Sequence, residues 1–254
     1  MILTFDCGNT MIKIGLFDND NFIKSYSINT DKKKSSDEYS IILKTLISSS
    51  NYHIDGAIIS CVVPSLNEVL KASILDVFGV NALVVGKSLK TKLPIKIDNP
   101  SELGADMLSG AVGAAAQYHH SILVADLGTA TKLYVIDKNG NFVGGVITSG
   151  IQSSMRSLVS STSLLMEVPL TLPNKIIGKN TVDSIQSGIL NSQIFLINGF
   201  AESIEKELGY PLKKIITGGF CRVLAKKIEN FEFIDNLVLK GLYHIYKVNM
   251  YEKR

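Results

Sequence analysis

A stretch of 21 residues near the start of the chain returns 120 positions later without a gap. Residues 2–22 read ILTFDCGNTMIKIGLFDNDNF, and residues 122–142 read ILVADLGTATKLYVIDKNGNF. Identical residues occur at Ile2/Ile122, Leu3/Leu123, Asp6/Asp126, Gly8/Gly128, Asn19/Asn139, Asn21/Asn141 and Phe22/Phe142. Each copy has the pattern of an apolar strand ending in Asp-x-Gly, a tight turn rich in Asn or Thr, a second strand and an Asn-rich hairpin turn. The chain is therefore predicted to contain one supersecondary unit twice.

Outside the two copies, strand and helix patterns alternate along the chain. Helices are predicted at 36–47, 66–78, 103–118, 151–165, 181–208 and 221–229, with a last helix from about 237, and strands at 24–28, 56–63, 82–85, 214–217 and 231–234. This alternation is typical of an α/β protein. Because the second copy begins just after the small-residue-rich helix 103–118, we predict two domains, residues 1–118 and 119–254.

The composition bounds the class of protein and its partners. Of the 254 residues, 46% are hydrophobic, which is enough to bury a sizeable core. The net charge is only +3 with acids and bases interspersed, so we expect no nucleic acid partner. No apolar run reaches the ~20 residues that span a bilayer and no signal peptide opens the chain, so we expect a cytoplasmic protein without membrane contact. The three scattered cysteines fit reduced thiols in that compartment.

The first Asp-x-Gly turn has the groups that a nucleotide phosphate needs. Asp6 ends the strand, and Gly8 lets the backbone approach a phosphate closely. Asn9, Thr10 and Lys13 add hydrogen-bond donors and a positive charge, while Asp6 offers Mg²⁺ a hard oxygen ligand. A single turn of this composition is more often only a turn.

The second copy strengthens the phosphate interpretation. It repeats the carboxylate and the glycine as Asp126 and Gly128, and it adds the hydroxyls of Thr129 and Thr131. Further along, an apolar strand runs into Gly218-Gly219, where the backbone can pass a flat base or a ribose. Two such loops facing each other would place two carboxylates and two sets of N–H donors around one cleft, which suits a nucleoside triphosphate and its metal.

Other catalytic signatures are absent from the sequence. The chain has no Gly-x-Gly-x-x-Gly after a strand, no Walker Gly-x-x-x-x-Gly-Lys-Ser/Thr and no Gly-x-Ser-x-Gly elbow. The four histidines lack metal-ligand spacing. These absences argue against a Rossmann dehydrogenase and a P-loop enzyme.

An ordered set of short motifs resembles the type III pantothenate kinases over essentially the whole chain. The set comprises Asp6-x-Gly-Asn-Thr, Leu93-Pro94-Ile95, Asp98-Asn99-Pro100, Gly104-Ala105-Asp106, Asp126-x-Gly-Thr-Ala-Thr, Gly144-Gly145-x-Ile147, Gly178-x-Asn180-Thr181 and Gly218-Gly219. Each motif alone is weak, but their order and spacing are specific. The resemblance implies the fold of a superfamily that includes acetate kinase, sugar kinases and actin. That fold consists of two duplicated RNase H-like (actin-like ATPase) domains with a nucleotide cleft between them.

The resemblance also implies an activity, the ATP-dependent phosphorylation of pantothenate at the first step of coenzyme A biosynthesis. Carried over by position, the residues that bind ATP would be Asp6, Gly8, Asn9, Thr10, Lys13, Thr129, Thr131, Gly218 and Gly219. Those that bind pantothenate would be Gly104, Ala105, Asp106, Met107 and Thr181, with Asp106 as the general base. Asp126 would hold a monovalent cation, K⁺ or NH₄⁺, and Asp6 would contact Mg²⁺ through ATP. The family is dimeric, so a homodimer is implied.

Five residues depart from the family pattern around the expected site. They are Met107 in place of Arg, Ile97 in place of Tyr, Lys132 in place of Thr, Tyr134 in place of Asp and Ser149 in place of Pro. Three hypotheses stay open. The first is an active pantothenate kinase in which Lys132 supplies the charge lost at residue 107. The second is a degenerate paralogue that acts as a nucleotide-binding or regulatory protein, and the third is a kinase of another small hydroxy compound. The retained acidic residues favour the first.

Overall fold

The chain divides into two compact units in the computed structural model, which describes residues 1–47, 52–86, 88–119, 121–224 and 227–251. The first unit contains Met1–Tyr118 together with the chain from Leu237 onward, and the second contains His119–Asn236. Strands and helices alternate in both units, which confirms the predicted α/β class.

A five-stranded sheet forms the first unit. Its strands are β1 (Ile2–Cys7), β2 (Met11–Asp18), β3 (Asn21–Asn29), β4 (Gly56–Cys61) and β5 (Ala82–Val84). They lie in the order β3-β2-β1-β4-β5. Strand β1 is antiparallel to β2 and parallel to β4, so the meander of the first copy forms the antiparallel half of the sheet.

Two helices, α1 (Ser36–Ile47) and α2 (Asn67–Phe78), share a hydrophobic core with this sheet. A capping box starts α1, because the Ser35 N–H donates to Glu38 Oε2 at 2.8 Å and the Glu38 N–H donates to Ser35 Oγ at 3.3 Å. Short 3₁₀ turns at Pro64–Leu66 and Pro100–Glu102 precede α2 and α3 (Ala105–Gln117). Gly79, with φ of 68°, ends α2 in the left-handed conformation.

The last helix, α7 (Leu237–Met250), packs with the first unit. It contacts α3 and the strands β1, β2 and β4. The two helix backbones meet at glycines, since a Cβ on Gly241 would lie 1.7 Å from Ser109 O and one on Gly113 would lie 2.5 Å from Leu237 O. The closing helix, which the sequence placed in a C-terminal domain of residues 119–254, therefore lies with the N-terminal unit, because the glycine-rich side of α3 lets it approach closely.

The second unit has its own five-stranded sheet and helices. The strands are β6 (Ile122–Leu127), β7 (Ala130–Ile136), β8 (Phe142–Ser149), β9 (Lys213–Thr217) and β10 (Glu232–Phe233), and the helices are α4 (Ile151–Ser160), α5 (Thr181–Leu208) and α6 (Cys221–Leu224). Alternate residues of β6, namely Leu123, Ala125 and Leu127, share a core with α4 and α5. No helix in the described part of the chain is both long enough and apolar enough to cross a bilayer.

The two sheets have the same topology, which confirms the internal repeat. The order β10-β9-β6-β7-β8 matches β5-β4-β1-β2-β3, and each pair of equivalent strands has the same direction. The duplication therefore extends beyond the 21 residues of sequence similarity to the parallel half of each sheet. The nucleotide cleft between the domains stays a prediction.

The structural repeat is not ungapped. Cys7 pairs with Ile12 across the first turn, whereas Leu127 pairs with Thr131, so the second turn is one residue shorter. A hairpin between β7 and β8 that is one residue longer restores the alignment by residue 142. The two changes cancel, so the two sequence copies match at both ends. Between these ends, the residues of β7 are shifted by one position relative to the residues of β2 that the ungapped alignment matches with them.

We predict that Gly241→Ala destabilises the first unit by at least about 2 kcal/mol, because the added methyl overlaps the backbone of α3 and one of the helices must move. Thermal or urea unfolding measures this effect. The matched control is Gly199→Ala on α5, where a Cβ meets nothing within 4 Å. There the better helix propensity of Ala should raise stability by about 0.5–1 kcal/mol. Equal effects of the two substitutions would contradict the close approach of α3 and α7.

Candidate active site

The first phosphate loop, residues 8–10, joins β1 to β2. The Gly8 N–H donates to Met11 O at 3.0 Å and closes the turn. Thr30, which follows β3, holds the loop by two hydrogen bonds. Its Oγ1 donates to Gly8 O at 2.7 Å, and its N–H donates to Thr10 O at 3.0 Å. Asn9 and Thr10 are exposed, so the tip of a braced loop is accessible to a ligand.

Asp6 belongs to a row of polar residues that crosses the first sheet just before this loop. It lies opposite Lys13 on β2 and opposite Ser60 on β4. Residues directly opposite each other on neighbouring strands project from the same face. The structure thus brings Asp6 and Lys13 together beside the loop. It adds Ser60, which sequence reasoning missed because only the parallel pairing of β1 with β4 places it there.

The second unit repeats this row. Asp126 lies opposite Lys132 on β7 and opposite Thr217 on β9. Because the second turn is one residue shorter, Lys132 is the counterpart of Lys13, which the ungapped alignment hides by matching Lys13 with Leu133. Each unit therefore carries a lysine, an aspartate and a hydroxyl residue side by side where its first strand ends.

Asp126 and Lys132 form a shielded ion pair. Lys132 Nζ lies 3.4 Å from Asp126 Oδ2, and only 13% and 11% of the two side chains are exposed. Charges with so little solvent contact are weakly screened by salt. The positive charge of Lys132 therefore lies against Asp126. The hypothesis that it replaces the charge lost at residue 107 stays a prediction.

The second phosphate loop, residues 128–130, is held by the start of α4. The Gly150 N–H donates to Thr129 O at 3.2 Å, and Ser153 Oγ donates to the same oxygen at 2.8 Å. A Cβ on Gly150 would lie 2.5 Å from Thr129 O, so only glycine allows this approach. The carbonyl of Thr129 is thus fixed by two donors, which sets the conformation of the loop.

The turn that follows β9 passes close to the end of β6 at Gly218. Its φ is 101°, and a Cβ there would lie 2.5 Å from Leu127 O. A side chain is excluded by both the backbone conformation and the space. Gly219 has open space where its Cβ would be. The pair therefore lies beside the second phosphate loop, with Gly219 leaving room for a flat ligand.

Thr131 is placed differently from its predicted role in binding ATP. It is fully buried, and its Oγ1 donates to Gln193 Oε1 on α5 at 2.6 Å. Gln193 in turn donates to Ser149 O at 3.2 Å. The hydroxyl of Thr131 therefore ties β7 to α5 and β8 instead of facing a ligand, because its side chain points into the core. No sequence motif indicated that Gln193 takes part.

Asp106 lies in the first turn of α3. Its Oδ1 accepts a hydrogen bond from the Met107 N–H at 2.8 Å, and a Cβ on Gly104 would lie 2.8 Å from that oxygen. Gly104 therefore leaves the space that the carboxylate occupies, and the bond to Met107 N–H sets its orientation. A helix N-terminus also favours a negative charge. Met107 itself is buried.

Thr181 begins α5 in the second unit and lines a cavity of about 580 Å³. Asn180 caps the helix, since its side chain accepts from the Asp183 N–H at 2.8 Å. Gly178 allows the chain to pass Ser184, where a Cβ would lie 2.4 Å from the backbone nitrogen. The cavity combines apolar side chains with the polar start of the helix and is lined by Leu158, Leu165, Gly178, Lys179, Asn180, Thr181, Ser184, Ile185, Gly188 and Ile189.

The remaining departures from the family pattern take structural positions. Tyr134 is fully buried, with its ring centroid 6.1 Å from that of Phe142. Ser149 Oγ accepts from Ser154 Oγ at 3.0 Å near the start of α4. Ile97 is partly buried in the loop before α3. Tyr134 thus fills a core position, and Ser149 joins β8 to α4.

Carboxylates and hydroxyls are the groups available for a divalent ion. Among the described residues, no group of three or more His, Cys, Asp and Glu side chains is arranged to hold a metal. The donor set around Asp6 nevertheless suits Mg²⁺ that arrives with a nucleotide, because that ion takes few protein ligands and keeps its phosphate oxygens and waters.

A pair of thiols lies directly beside the first phosphate loop. Cys7 on β1 is in register with Cys61 on β4. A hydrogen bond from the Cys7 thiol lowers the pKa of Cys61 to about 7, helped by the Val63 N–H at 3.4 Å from its sulfur. The same contact and burial raise the pKa of Cys7. Cys61 is only partly buried, so its thiolate is accessible near neutral pH.

Comparison with other sequences identifies the protein family that this chain matches. A family model described as type III pantothenate kinase matches residues 2–203. A type III pantothenate kinase of Exiguobacterium sp. is 36% identical over 253 residues, which cover 98% of this chain and 99% of that protein. One from Agathobacter rectalis is 35% identical over 252 residues and 97% of each chain.

A solved structure with the same fold comes from Sinorhizobium meliloti. This protein, provisionally assigned as a 2-dehydro-3-deoxygalactonokinase, matches with a TM-score of 0.63 over 99% of this chain and 100% of its own, at 10% identity. At that identity the match shows the fold alone. The fold is that of two RNase H-like domains, as predicted from the sequence.

We predict that iodoacetamide alkylates Cys61 with a midpoint near pH 7, because the thiolate predominates above its lowered pKa. Replacing the hydrogen-bond donor in Cys7→Ala should move the midpoint up toward the ordinary thiol value of about 8.5. Mass spectrometry of the labelled peptides gives both midpoints. Buried Cys221 is the internal control and should stay unmodified in the folded protein. A midpoint near 8.5 in the unmodified chain would contradict the assignment.

Proposed function

Because the chain belongs to the type III pantothenate kinases, which phosphorylate pantothenate with ATP at the first step of coenzyme A biosynthesis, we propose a role for each residue of its site. The relatives do not favour a degenerate paralogue or a kinase of another hydroxy compound. The observation that carries the assignment is the row of lysine, aspartate and hydroxyl residue beside a glycine turn, once in each unit.

Residues of both loops bind ATP in this proposal. In the first unit, the backbone N–H groups of Asn9 and Thr10 and the side chains of Asn9, Thr10 and Lys13 bind phosphate oxygens. In the second, Thr129 contributes from its fixed loop, and Gly218 and Gly219 leave room for the nucleoside. Mg²⁺, when bound with ATP, neutralises phosphate charge, and Asp6 is its ligand directly or through water. Thr131 is left out because its hydroxyl is engaged inside the core.

Asp106 acts as the general base. An alcohol is a weak acid, so the carboxylate accepts its proton only late in the transfer, and most of the acceleration comes from positioning and charge neutralisation. The Met107 N–H and the space left by Gly104 support this role, because they hold the carboxylate in one orientation. The acceptor hydroxyl then meets an oriented base.

Pantothenate lies against residues 104–107 and Thr181 in this proposal. The mixed lining of the cavity at the start of α5 suits a ligand that has methyl groups, hydroxyls, one amide and a carboxylate. Met107 offers a polarisable thioether where the family has Arg, so the chain gives up one charge-assisted contact, typically worth ~1.5–3 kcal/mol.

A single positive charge beside Asp126 completes the phosphate site. The family fills this position with K⁺ or NH₄⁺, and the low exposure of Asp126 supports a requirement for such a charge, because an unpaired buried carboxylate is costly. The reaction takes place in the cytoplasm, which agrees with a chain whose cysteines all carry thiols.

The enzyme is a homodimer in our proposal. Between α4 and the start of α5 the second unit exposes apolar side chains, of which Leu164 is 91% and Ile177 is 80% exposed. The other exposed apolar side chains of this stretch of chain are Met166, Ile176 and Val182, and we call the five together the apolar patch. Exposed apolar patches of this kind mark association surfaces, and a symmetric dimer would bury the patch of each subunit.

We predict that Asp106→Asn lowers kcat at least about 100-fold while the affinity for ATP stays within about twofold, because the amide cannot accept the proton. A coupled assay of ADP release with Mg²⁺ and pantothenate measures turnover, and isothermal titration measures ATP binding. Asp76→Asn on the exposed side of α2 is the control and should change neither. Equal loss of turnover and ATP binding would refute the role of Asp106, and no pantothenate-dependent ADP from the unmodified chain would refute the kinase.

We also predict that Ile177→Asp converts the dimer to a monomer, because the substitution places a charge within the apolar patch. Light scattering after size exclusion gives the mass directly. Ile41→Asp is the matched control, since that isoleucine is 67% exposed on α1 and lies outside the patch. A dimer that both substitutions leave intact would exclude this surface as the interface.

A further inference from the structure

We propose that the ammonium group of Lys132 is itself the monovalent cation held by Asp126, so that phosphoryl transfer in this chain needs neither K⁺ nor NH₄⁺. In this view Lys132 is a positioning residue that replaces a dissociable ion by a tethered one. The inference deepens the proposed function, because it rests on the role given there to a positive charge at Asp126.

The geometry of the pair supports a permanent occupant. Lys132 Nζ lies 3.4 Å from Asp126 Oδ2, and the two residues face each other on adjacent strands, so the backbone pairing keeps them together. Both side chains are largely shielded from solvent. A lysine held in this way stays next to the carboxylate, whereas a free ion must be recruited from solution and loses translational freedom.

The ammonium group of Lys132 and a free NH₄⁺ ion offer the same charge and the same kind of hydrogen-bond donor. The ε-ammonium carries one positive charge on a compact nitrogen with three N–H donors, as NH₄⁺ does with four. A second cation at the same carboxylate would meet the charge of Lys132 at short range in a poorly screened site. The residues around Asp126 therefore do not fit an additional K⁺.

The repeat gives an independent reason to place Lys132 in the phosphate site. Its counterpart Lys13 occupies the same position beside Asp6, and the pairing of strands makes the two lysines equivalent. In the pattern that this chain resembles, position 132 is Thr, whose side chain has no charge to pair with the aspartate. This chain has a lysine opposite an aspartate in both units, so in the second unit the side chain of Lys132 supplies the positive charge beside Asp126.

The experiment compares the unmodified chain with Lys132→Thr, which restores the family residue, and with Lys132→Met, which keeps the length of the side chain but removes the charge. Lys214→Thr is the matched control, because Lys214 also forms a partly shielded ion pair in the second unit, 2.8 Å from Glu205 with 17% and 22% exposure. Each protein is measured in tetramethylammonium chloride and in KCl of equal ionic strength. The readouts are the melting temperature, the Kd of trinitrophenyl-ATP with Mg²⁺, and the turnover of pantothenate.

The unmodified chain and the control should show the same melting temperature, the same Kd and the same turnover in both salts. Lys132→Thr should bind the nucleotide about tenfold more weakly in tetramethylammonium, and KCl should restore the affinity and raise the melting temperature. Thallium(I), a heavy substitute for K⁺, should appear at Asp126 in crystals of Lys132→Thr and be absent from crystals of the unmodified chain.

Activation of the unmodified chain by K⁺, or thallium bound at its Asp126, would overturn the inference. So would variants at position 132 that remain folded and respond to K⁺ no more than the control does. If Lys132→Thr fails to fold in both salts, Lys132→Met decides by the same criteria. Nucleotide affinity and melting temperature do not require turnover, so a failure of the proposed pantothenate chemistry would leave these two readouts interpretable and separate the two proposals.

Discussion

The antiparallel pairing of the first two strands in each unit is the constraint on which the site depends. It sets a lysine opposite an aspartate at the strand end, in the same row as a hydroxyl residue on the neighbouring parallel strand. The glycine turn that follows has little freedom, because its carbonyls are held by Thr30 in one unit and by Gly150 and Ser153 in the other. The hydrogen bonds of the sheet and of its neighbouring turns therefore fix both the charged side chains and the backbone of the glycine loops.

Much of this arrangement was predictable from the sequence. The Asp-x-Gly turns, the α/β class and the bounds of α1 and α5 follow from local patterns, because a strand ending in a glycine turn and an amphipathic helix with a polar cap are signalled by neighbouring residues. The assignment of family and fold also followed from short motifs in a fixed order, and the comparisons confirm it. The roles of the individual site residues stay predictions.

What the sequence did not reveal depends on contacts between distant residues. Ser60 joins the first row only through the pairing of β1 with β4, and Thr131 turns inward only because Gln193 on α5 meets it. The equivalence of Lys13 and Lys132 was hidden because a shortened turn and a lengthened hairpin cancel within the repeat. The attachment of α7 to the first unit depends on two glycines more than 100 positions apart. An alignment or a periodicity cannot detect such pairings.

The return of α7 to the first unit has a consequence for biosynthesis. A ribosome makes the chain from its N-terminus, and domains generally fold as units when all of their segments have emerged. The second unit is continuous in sequence, whereas the first lacks its last helix until the whole second unit has been synthesised. The side of α3 that accepts α7 therefore stays uncovered while the second unit is synthesised, and the unit that is translated first is completed after the second.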